Sequence, residues 1–216
     1  MKYKLGEFGK QVKEYEKARR AYPKQVFTYL KSFFTKSGPV ILDLGCGTGI
    51  SSRQLAKIGK VIGCDPDPLM LSAAKKHKTD QPVKYVIGTA EKLPFPDNSF
   101  DIVTAFAAFH WFDDKKSIAE IKRILKPSGK LFIVNKRGLR KWGGNYRKVI
   151  IKAIGQEIAN FKEKNYNPKK SLLDTGFKQI KIKSWKASEI YTVINAVEYV
   201  QSVSIWASVP DNLKPI

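Results

Sequence analysis

One short stretch, Val40-Ile41-Leu42-Asp43-Leu44-Gly45-Cys46-Gly47-Thr48-Gly49, constrains the fold more than any other part of the chain. An apolar run closes on an acid and is followed by three glycines at alternate positions. This pattern is typical of a buried parallel strand that runs into a tight turn before a helix. Because glycine has no Cβ, Gly45, Gly47 and Gly49 can adopt positive φ and let backbone amides approach a ligand closely. The stretch is therefore interpreted as a cofactor-binding turn.

The spacing of the glycines narrows the choice of cofactor. A dinucleotide-binding fingerprint, Gly-x-Gly-x-x-Gly, would place its third glycine at Ile50, and a phosphate-binding loop would end in a Gly-Lys-Ser/Thr that this turn lacks. A second apolar strand at residues 61–64 leads to Asp65, where a carboxylate can accept both hydroxyls of a ribose. The sequence therefore predicts a nucleoside ligand without a pyrophosphate.

Two further segments complete an ordered set of motifs. They are Gly88-Thr89-Ala90-Glu91-Lys92-Leu93-Pro94-Phe95 and Ser99-Phe100-Asp101-Ile102-Val103. Together with residues 43–49 and Asp65, they make the chain resemble a class I S-adenosylmethionine-dependent methyltransferase of the type 11-like group over residues 38–135. In that family they correspond to the adenine-side segment and the fourth strand. The run Phe106-Ala107-Ala108-Phe109-His110-Trp111-Phe112 is further similar to that of the trans-aconitate methyltransferase group.

The resemblance implies S-adenosyl-L-methionine as the cofactor and methyl transfer as the reaction. The cofactor-binding residues that it implies are Asp43, Gly45, Cys46, Gly47, Gly49, Asp65, Pro66, Ala90, Glu91 and Phe106. His110 is the catalytic candidate, because a histidine near the transferred methyl group can orient an acceptor or take its proton. Tyr22 and Trp111 are the candidates for acceptor contact. The alternatives are that Tyr22 packs between helices and that His110 and Trp111 pack beneath the cofactor.

Alternating strand and helix patterns predict an α/β fold with a doubly wound, mostly parallel sheet. Strands are expected at 40–44, 61–64, 83–87, 102–105, 131–134 and 177–185, and helices at 51–58, 67–77 and 117–125, the last stopped by Lys126-Pro127-Ser128-Gly129. Two amphipathic helices are expected within 8–36, and others at 146–161 and just before Gly176. The family's seventh strand is missing from the pattern, so the natural protein is expected to be longer.

Residues 1–216 are interpreted as a single methyltransferase domain. Residues 1–37 form a helical lid, 38–135 the cofactor-binding core, and 136–216 the substrate side with the sixth strand. Apolar residues make up 43% of the chain, and no apolar run is long enough to span a membrane. A cytoplasmic protein with no membrane partner is therefore expected.

Cys46 and Cys64 are expected to be reduced packing residues, because no Cys/His metal-ligand spacing occurs.

The net charge of +21 is concentrated in the flanks. Residues 39–129 hold 13 Lys/Arg against 10 acids, whereas residues 130–216 hold 17 against 6. A basic field beside the active site would attract an acidic small-molecule acceptor, which is the partner we expect. Residues 136–148 combine six basic residues with two aromatics and no acid, a pattern that also suits nucleic acid. Since only 7 of the 40 basic residues are Arg, a small acceptor is favoured over nucleic acid. The alternatives are methylation of RNA or protein, or a module that binds the cofactor or nucleic acid without turnover.

Overall fold

The computed structural model describes residues 12–34, 38–136, 166–187 and Tyr199. The chain divides into two compact units. Within the described residues, the first unit comprises residues 20–135 and 167–187. The second comprises residues 12–19, Lys136, Tyr166 and Tyr199. Since the predicted helix at 146–161 lies outside the described residues, it stays a prediction, as does the single-domain interpretation.

The first unit is built on five parallel strands in the order β3-β2-β1-β4-β5. The strands are β1 (Val40–Leu44), β2 (Lys60–Asp65), β3 (Val83–Ile87), β4 (Phe100–Phe106) and β5 (Leu125–Val134). This order and the intervening helices confirm the predicted doubly wound α/β fold. From β1 the chain adds strands first on one side (β2, β3) and then on the other (β4, β5), so the boundary between β1 and β4 is a topological switch point. In such sheets ligands bind beyond the carboxyl ends of the strands at that point.

Helices follow the strands as the periodicity predicts. They are α2 (Lys24–Lys31), α3 (Ile50–Leu55), α4 (Pro68–Lys76), α5 (Lys115–Ile124) and α6 (Pro168–Asp174) in the first unit, and α1 (Val12–Ala18) in the second. Asp67 caps α4, because its carboxylate accepts hydrogen bonds from the amides of Leu69 and Met70. Asn167 caps α6 in the same way, through the amide of Lys170.

The core lies where α2 packs on the sheet. The apolar stripe of α2, Val26, Phe27 and Leu30, is buried in one cluster with Ile41 and Ile102. Burial of each such side chain stabilises the fold by about 1.5–3 kcal/mol. Pro23 directly precedes α2 with φ −58°, a position at which proline is tolerated because its missing amide would have no partner within the helix.

Two sequence predictions about the far end of the sheet are wrong. The predicted sixth strand, residues 177–185, has no strand conformation, and Ile182 is 75% exposed. The alternation of lysines and apolar residues in this segment is typical of a half-buried strand. In the structure, however, some of the apolar side chains are exposed to solvent. The stretch 126–129 lies within β5 instead of preceding it. Register jumps from Phe100 opposite Leu125 to Ile102 opposite Lys130, so the Pro-Ser-Gly sequence forms an irregularity in the strand.

Candidate cofactor site

The three glycines after β1 all have left-handed backbone conformations, with φ of 69° at Gly45, 53° at Gly47 and 74° at Gly49. Residues with a Cβ rarely adopt this conformation, so the turn requires glycine. The amides of Gly45 and Cys46 donate to the carbonyl of Cys64 at the end of β2, at 2.8 and 3.2 Å. The turn is therefore fixed to the second strand by the backbone.

Asp65 connects β2 to the glycine turn through its side chain. The Gly47 amide donates to Oδ2 at 2.8 Å and the Asp67 amide donates to Oδ1 at 2.9 Å. Each carboxylate oxygen keeps a further lone pair for another donor, such as a ribose hydroxyl. Burial raises the pKa of the Asp65 carboxyl to about 6, and the two amide hydrogen bonds oppose the rise.

Asp43 lies deeper, at the end of β1, where it is fully buried. Its Oδ2 accepts hydrogen bonds from the hydroxyls of Ser51 at 2.7 Å and Ser52 at 2.6 Å, and its Oδ1 accepts one from Thr104 at 2.9 Å. Burial raises the pKa of Asp43, and the three hydroxyl donors oppose that rise. The side chain therefore ties the glycine turn to the first turn of α3 and to β4.

The side chains beneath the turn account for two of its glycines. A Cβ on Gly45 would lie 2.6 Å from Cβ of Ala108 and 3.4 Å from the Phe112 ring, and a Cβ on Gly49 would collide with the Tyr85 hydroxyl. Close packing of the protein itself thus adds to the φ requirement at both positions. The contact at Gly45 also places the segment after β4 directly against the turn.

This arrangement agrees with what comparisons with known proteins show. The methyltransferase domain family matches residues 42–133. The demethylmenaquinone methyltransferase of Oceanobacillus iheyensis is 34% identical over 182 residues, which cover 72% of this chain and 76% of that protein. The chain belongs to the class I S-adenosylmethionine-dependent methyltransferases.

Other relatives match a smaller share of this methyltransferase. An uncharacterised methyltransferase of Mycobacterium tuberculosis is 38% identical over 128 residues, which cover 59% of this chain and 51% of that protein. The chain thus spans about half the length of the first curated relatives it matches. A Methanococcus maripaludis structure, named as an S-adenosyl-L-methionine-dependent methyltransferase, has a TM-score of 0.52 at 22% identity, covering 74% of this chain and 80% of that one. It supports the fold.

The chain's own residues fit S-adenosylmethionine at this edge of the sheet. The left-handed glycine turn has no Cβ at three positions, so its backbone can approach a ligand closely. The Asp65 carboxylate is held by two backbone amides, and its oxygens can each accept a further hydrogen bond. Ala90 is buried just beyond β3, while Glu91 and Pro66 are half-buried beside the same strand ends. These predicted residues therefore lie at or just beyond the carboxyl ends of β1, β2 and β3, along one edge of the sheet.

Three of the predicted cofactor residues have side chains with other partners. Asp43 is occupied by its three hydroxyl donors, and Cys46 is buried beneath the turn beside Gly63. Phe106 stacks on Phe27 with ring centroids 5.6 Å apart and meets Tyr22 edge-on at 4.7 Å. Their contribution to cofactor binding would be through backbone or through support of the turn.

Two of the predicted acceptor-side residues, His110 and Trp111, lie on a short 3₁₀ helix, Phe109–Trp111. The third, Tyr22, lies before α2 and packs edge-on against Phe106 instead. His110 and Trp111 are exposed, and their rings lie 4.5 Å apart at 43°. Phe109 and Phe112 are buried and anchor this helix on both sides. Ala107, which joins the helix to β4, has a left-handed φ of 52°, an unfavourable conformation for alanine that is often found at functional sites.

Sequence reasoning missed four residues that support the site. Gln54 on α3 bonds both the amide (2.9 Å) and the carbonyl (2.8 Å) of Tyr22, so it fixes the segment before α2 to the helix that follows the glycine turn. Thr104 is opposite Asp43 in the register of β1 and β4, which a strand alignment would have revealed. Ser51 and Ser52 follow the turn directly, where hydroxyls at a helix start are a recognisable signal.

Arg123 on α5 supports the adenine-side segment. Its guanidinium binds both carboxylate oxygens of Glu120 at 2.8 Å and donates to the carbonyls of Phe95 at 2.8 Å and Leu93 at 3.2 Å. Glu120 in turn accepts the Leu93 amide at 2.9 Å. This bidentate pair holds the pKa of Glu120 at about 2. The segment that follows β3 is thus fixed by one ion pair on α5.

The two cysteines are buried in the core of the unit. Burial raises the pKa of Cys64 to about 12 and that of Cys46 well above its usual range. Both thiols therefore stay protonated at neutral pH, and a protonated thiol is a poor nucleophile. Their surroundings agree with the packing role predicted from the sequence.

Proposed function

We propose that this protein binds S-adenosyl-L-methionine and transfers its methyl group to an O, N or C atom of a small, acidic molecule in the cytoplasm. The main observation behind the proposal is the hydrogen bond that the Gly47 amide, in the glycine turn, donates to the carboxylate of Asp65. It joins the two predicted cofactor-binding motifs. Membership in the methyltransferase family supports the reaction, and the basic flanks support an acidic acceptor.

In this proposal the chain's residues bind and orient. Gly45, Gly47 and Gly49 lie along the methionine part, Asp65 accepts hydrogen bonds from the ribose hydroxyls, and Ala90 and Glu91 border the adenine. When bound, S-adenosylmethionine supplies a methyl group on a sulfonium sulfur, which is already an activated leaving group. The protein then has to hold acceptor and methyl group in line, and such positioning can lower the barrier by several kcal/mol.

Binding can be tested by calorimetry with S-adenosylmethionine on the wild-type chain and on Asp65→Ala. We expect binding by the first and loss of binding by the second, with the melting temperature of the variant showing that it is folded. Unchanged affinity in Asp65→Ala would contradict the ribose assignment. A panel of carboxylic acids with a radiolabelled methyl donor then tests the acceptor class.

His110 is the residue to test for a part in the chemistry. A carboxylate acceptor has no proton to lose at neutral pH, so we propose that His110 orients the acceptor. We expect His110→Ala to lower kcat about a hundredfold while cofactor affinity is kept. If affinity and melting temperature fall together, His110 supports the fold and the proposed role is wrong.

A second hypothesis is that the protein methylates RNA. It is supported by the basic and aromatic stretch 136–148, which lies mostly outside the described residues. Tight RNA binding with a steep dependence on salt, and no acid turned over, would favour that reading over a small acceptor.

A further inference from the structure

A basic surface on the first unit is left unused by the cofactor site. Between α2 and residues 183–185 lies an open groove of about 590 Å³. We refer to it as the basic groove; its lining includes Lys24, Thr28, Tyr29, Ser32, Lys183 and Trp185. Both of its sides carry a lysine, and its floor contains the Tyr29 and Trp185 rings, whose centroids are 5.2 Å apart.

The two segments that form the groove contain no acid. Residues 177–187 hold four lysines, and residues 20–34 hold Arg20, Lys24 and Lys31. All four lysines of residues 177–187 are exposed. Lys24 and Lys31 are seven positions apart on α2, so two helical turns place them on the same side of that helix. No carboxylate within either segment balances this charge.

Apolar side chains accompany the lysines at this surface. Ile182 lies between Lys181 and Lys183 and is 75% exposed. Three residues further on, Trp185 is half-buried against the core and contacts Tyr29, which fixes the segment to α2. An exposed isoleucine flanked by two lysines combines an apolar side chain with positive charge, the two features by which peripheral proteins bind an anionic membrane interface.

We infer that the basic groove and residues 181–186 form a docking surface for an anionic lipid bilayer. The lysines are complementary in charge to acidic headgroups, and Ile182 supplies an apolar contact with the outer acyl region. The predominance of lysine favours this partner over nucleic acid, because readout of phosphates and bases favours Arg. No apolar run of the sequence is long enough to span a bilayer, and no membrane partner is expected on that ground, but peripheral docking needs no such segment.

No helix within the described residues has the length and apolar character needed to cross a membrane. This inference concerns where the enzyme works and does not depend on which acceptor it methylates. Its test accordingly uses binding alone, without turnover.

The experiment is cosedimentation of the full chain with vesicles of phosphatidylcholine, alone or doped with phosphatidylglycerol. We expect binding only to the doped vesicles, and release at about 0.5 M salt, where surface charges are screened within a few ångströms. The double variant Lys181→Glu/Lys183→Glu should bind at least tenfold more weakly, because each lysine near an anionic surface contributes about a fivefold gain in affinity. Ile182→Asp should weaken binding as well.

The matched control is Lys75→Glu/Lys76→Glu, which makes the same charge change at two exposed positions on α4. Leu173→Asp, at a 48% exposed position on α6, is the control for Ile182→Asp. The inference is overturned if the chain ignores doped vesicles at low salt, or if it binds both vesicle types equally. It is also overturned if the α4 control loses as much affinity as the lysine variant, or if poly(U) is bound and the vesicles are not.

Discussion

Cofactor affinity should depend on pH through Asp65. Burial raises the pKa of this carboxyl to about 6, while ribose hydroxyls bind best to its ionised form. At pH 5 only about one molecule in eleven would be ionised, whereas at pH 7.5 nearly all would be. We therefore expect the dissociation constant for S-adenosylmethionine to rise about tenfold between pH 7.5 and pH 5, with its midpoint near the pKa of about 6.

The same pKa shift predicts proton release on binding. A bound ribose stabilises the carboxylate, so the pKa of Asp65 falls in the complex and about half a proton leaves at pH 6. Calorimetry in two buffers of different ionisation enthalpy measures this number directly. In Asp65→Asn the release and the pH dependence should both disappear. A flat affinity between pH 5 and pH 7.5 in the wild-type chain would refute the reasoning.

The shift also affects stability in the absence of ligand. The pKa of Asp65 is raised from its ordinary value of 3.8 to about 6, so the folded state binds a proton more tightly than the unfolded state. The stabilisation by this group is complete below pH 3.8 and is lost as the pH rises through about 6. A shift of this size corresponds to roughly 3 kcal/mol. Asp65→Asn should remove that part of the pH dependence of unfolding.

Three substitutions test the support of the site. Arg123→Ala should lower the free energy of unfolding by about 2 kcal/mol in denaturant titrations, because the Leu93 and Phe95 carbonyls lose a charged donor; Arg123→Lys should recover only part of it. Gln54→Ala should lower the free energy of unfolding by about 1–2 kcal/mol, since the amide and the carbonyl of Tyr22 both lose their hydrogen-bond partner. An unchanged free energy of unfolding would contradict this. Tyr85→Phe should change the free energy of unfolding by no more than about 1 kcal/mol in either direction, because the buried hydroxyl has no hydrogen bond of good geometry among the described residues while the Arg53 guanidinium lies near it.

The parallel strands could be predicted because each is a short apolar run bounded by a turn signal. Predicted and observed limits of β1 and β3 coincide, and the α4 cap was visible as Asp67 before a proline. The strand prediction for residues 177–185 was wrong because alternating apolar and polar residues indicate that a segment can form a strand. The alternation does not show whether a neighbouring strand is available to pair with it. Ile182 remains exposed, which no pattern within the segment could reveal.

The candidate site was predictable at its backbone and less so in its side chains. The glycines and Asp65 could be placed from spacing alone. The direction of Phe106 could not, because its position at the end of β4 is compatible with either side of the sheet, and only packing against Phe27 and Tyr22 decides. The Arg123 contacts also lie beyond sequence reasoning, since they join residues 28 and 30 positions apart.

Tyr85 changes the interpretation of the glycines themselves. The sequence suggests that glycines 45, 47 and 49 are small because a ligand must come close. Yet a Cβ at Gly49 would collide with the Tyr85 hydroxyl, and one at Gly63 would lie 2.7 Å from the same ring. The tyrosine on β3 therefore requires a glycine on β2 and another in the turn. If Tyr85→Phe is stable, Gly49 gains space beneath it but keeps its φ of 74°, so alanine there should still be unfavourable. The backbone conformation, more than the ligand or the tyrosine, is what fixes glycine at position 49.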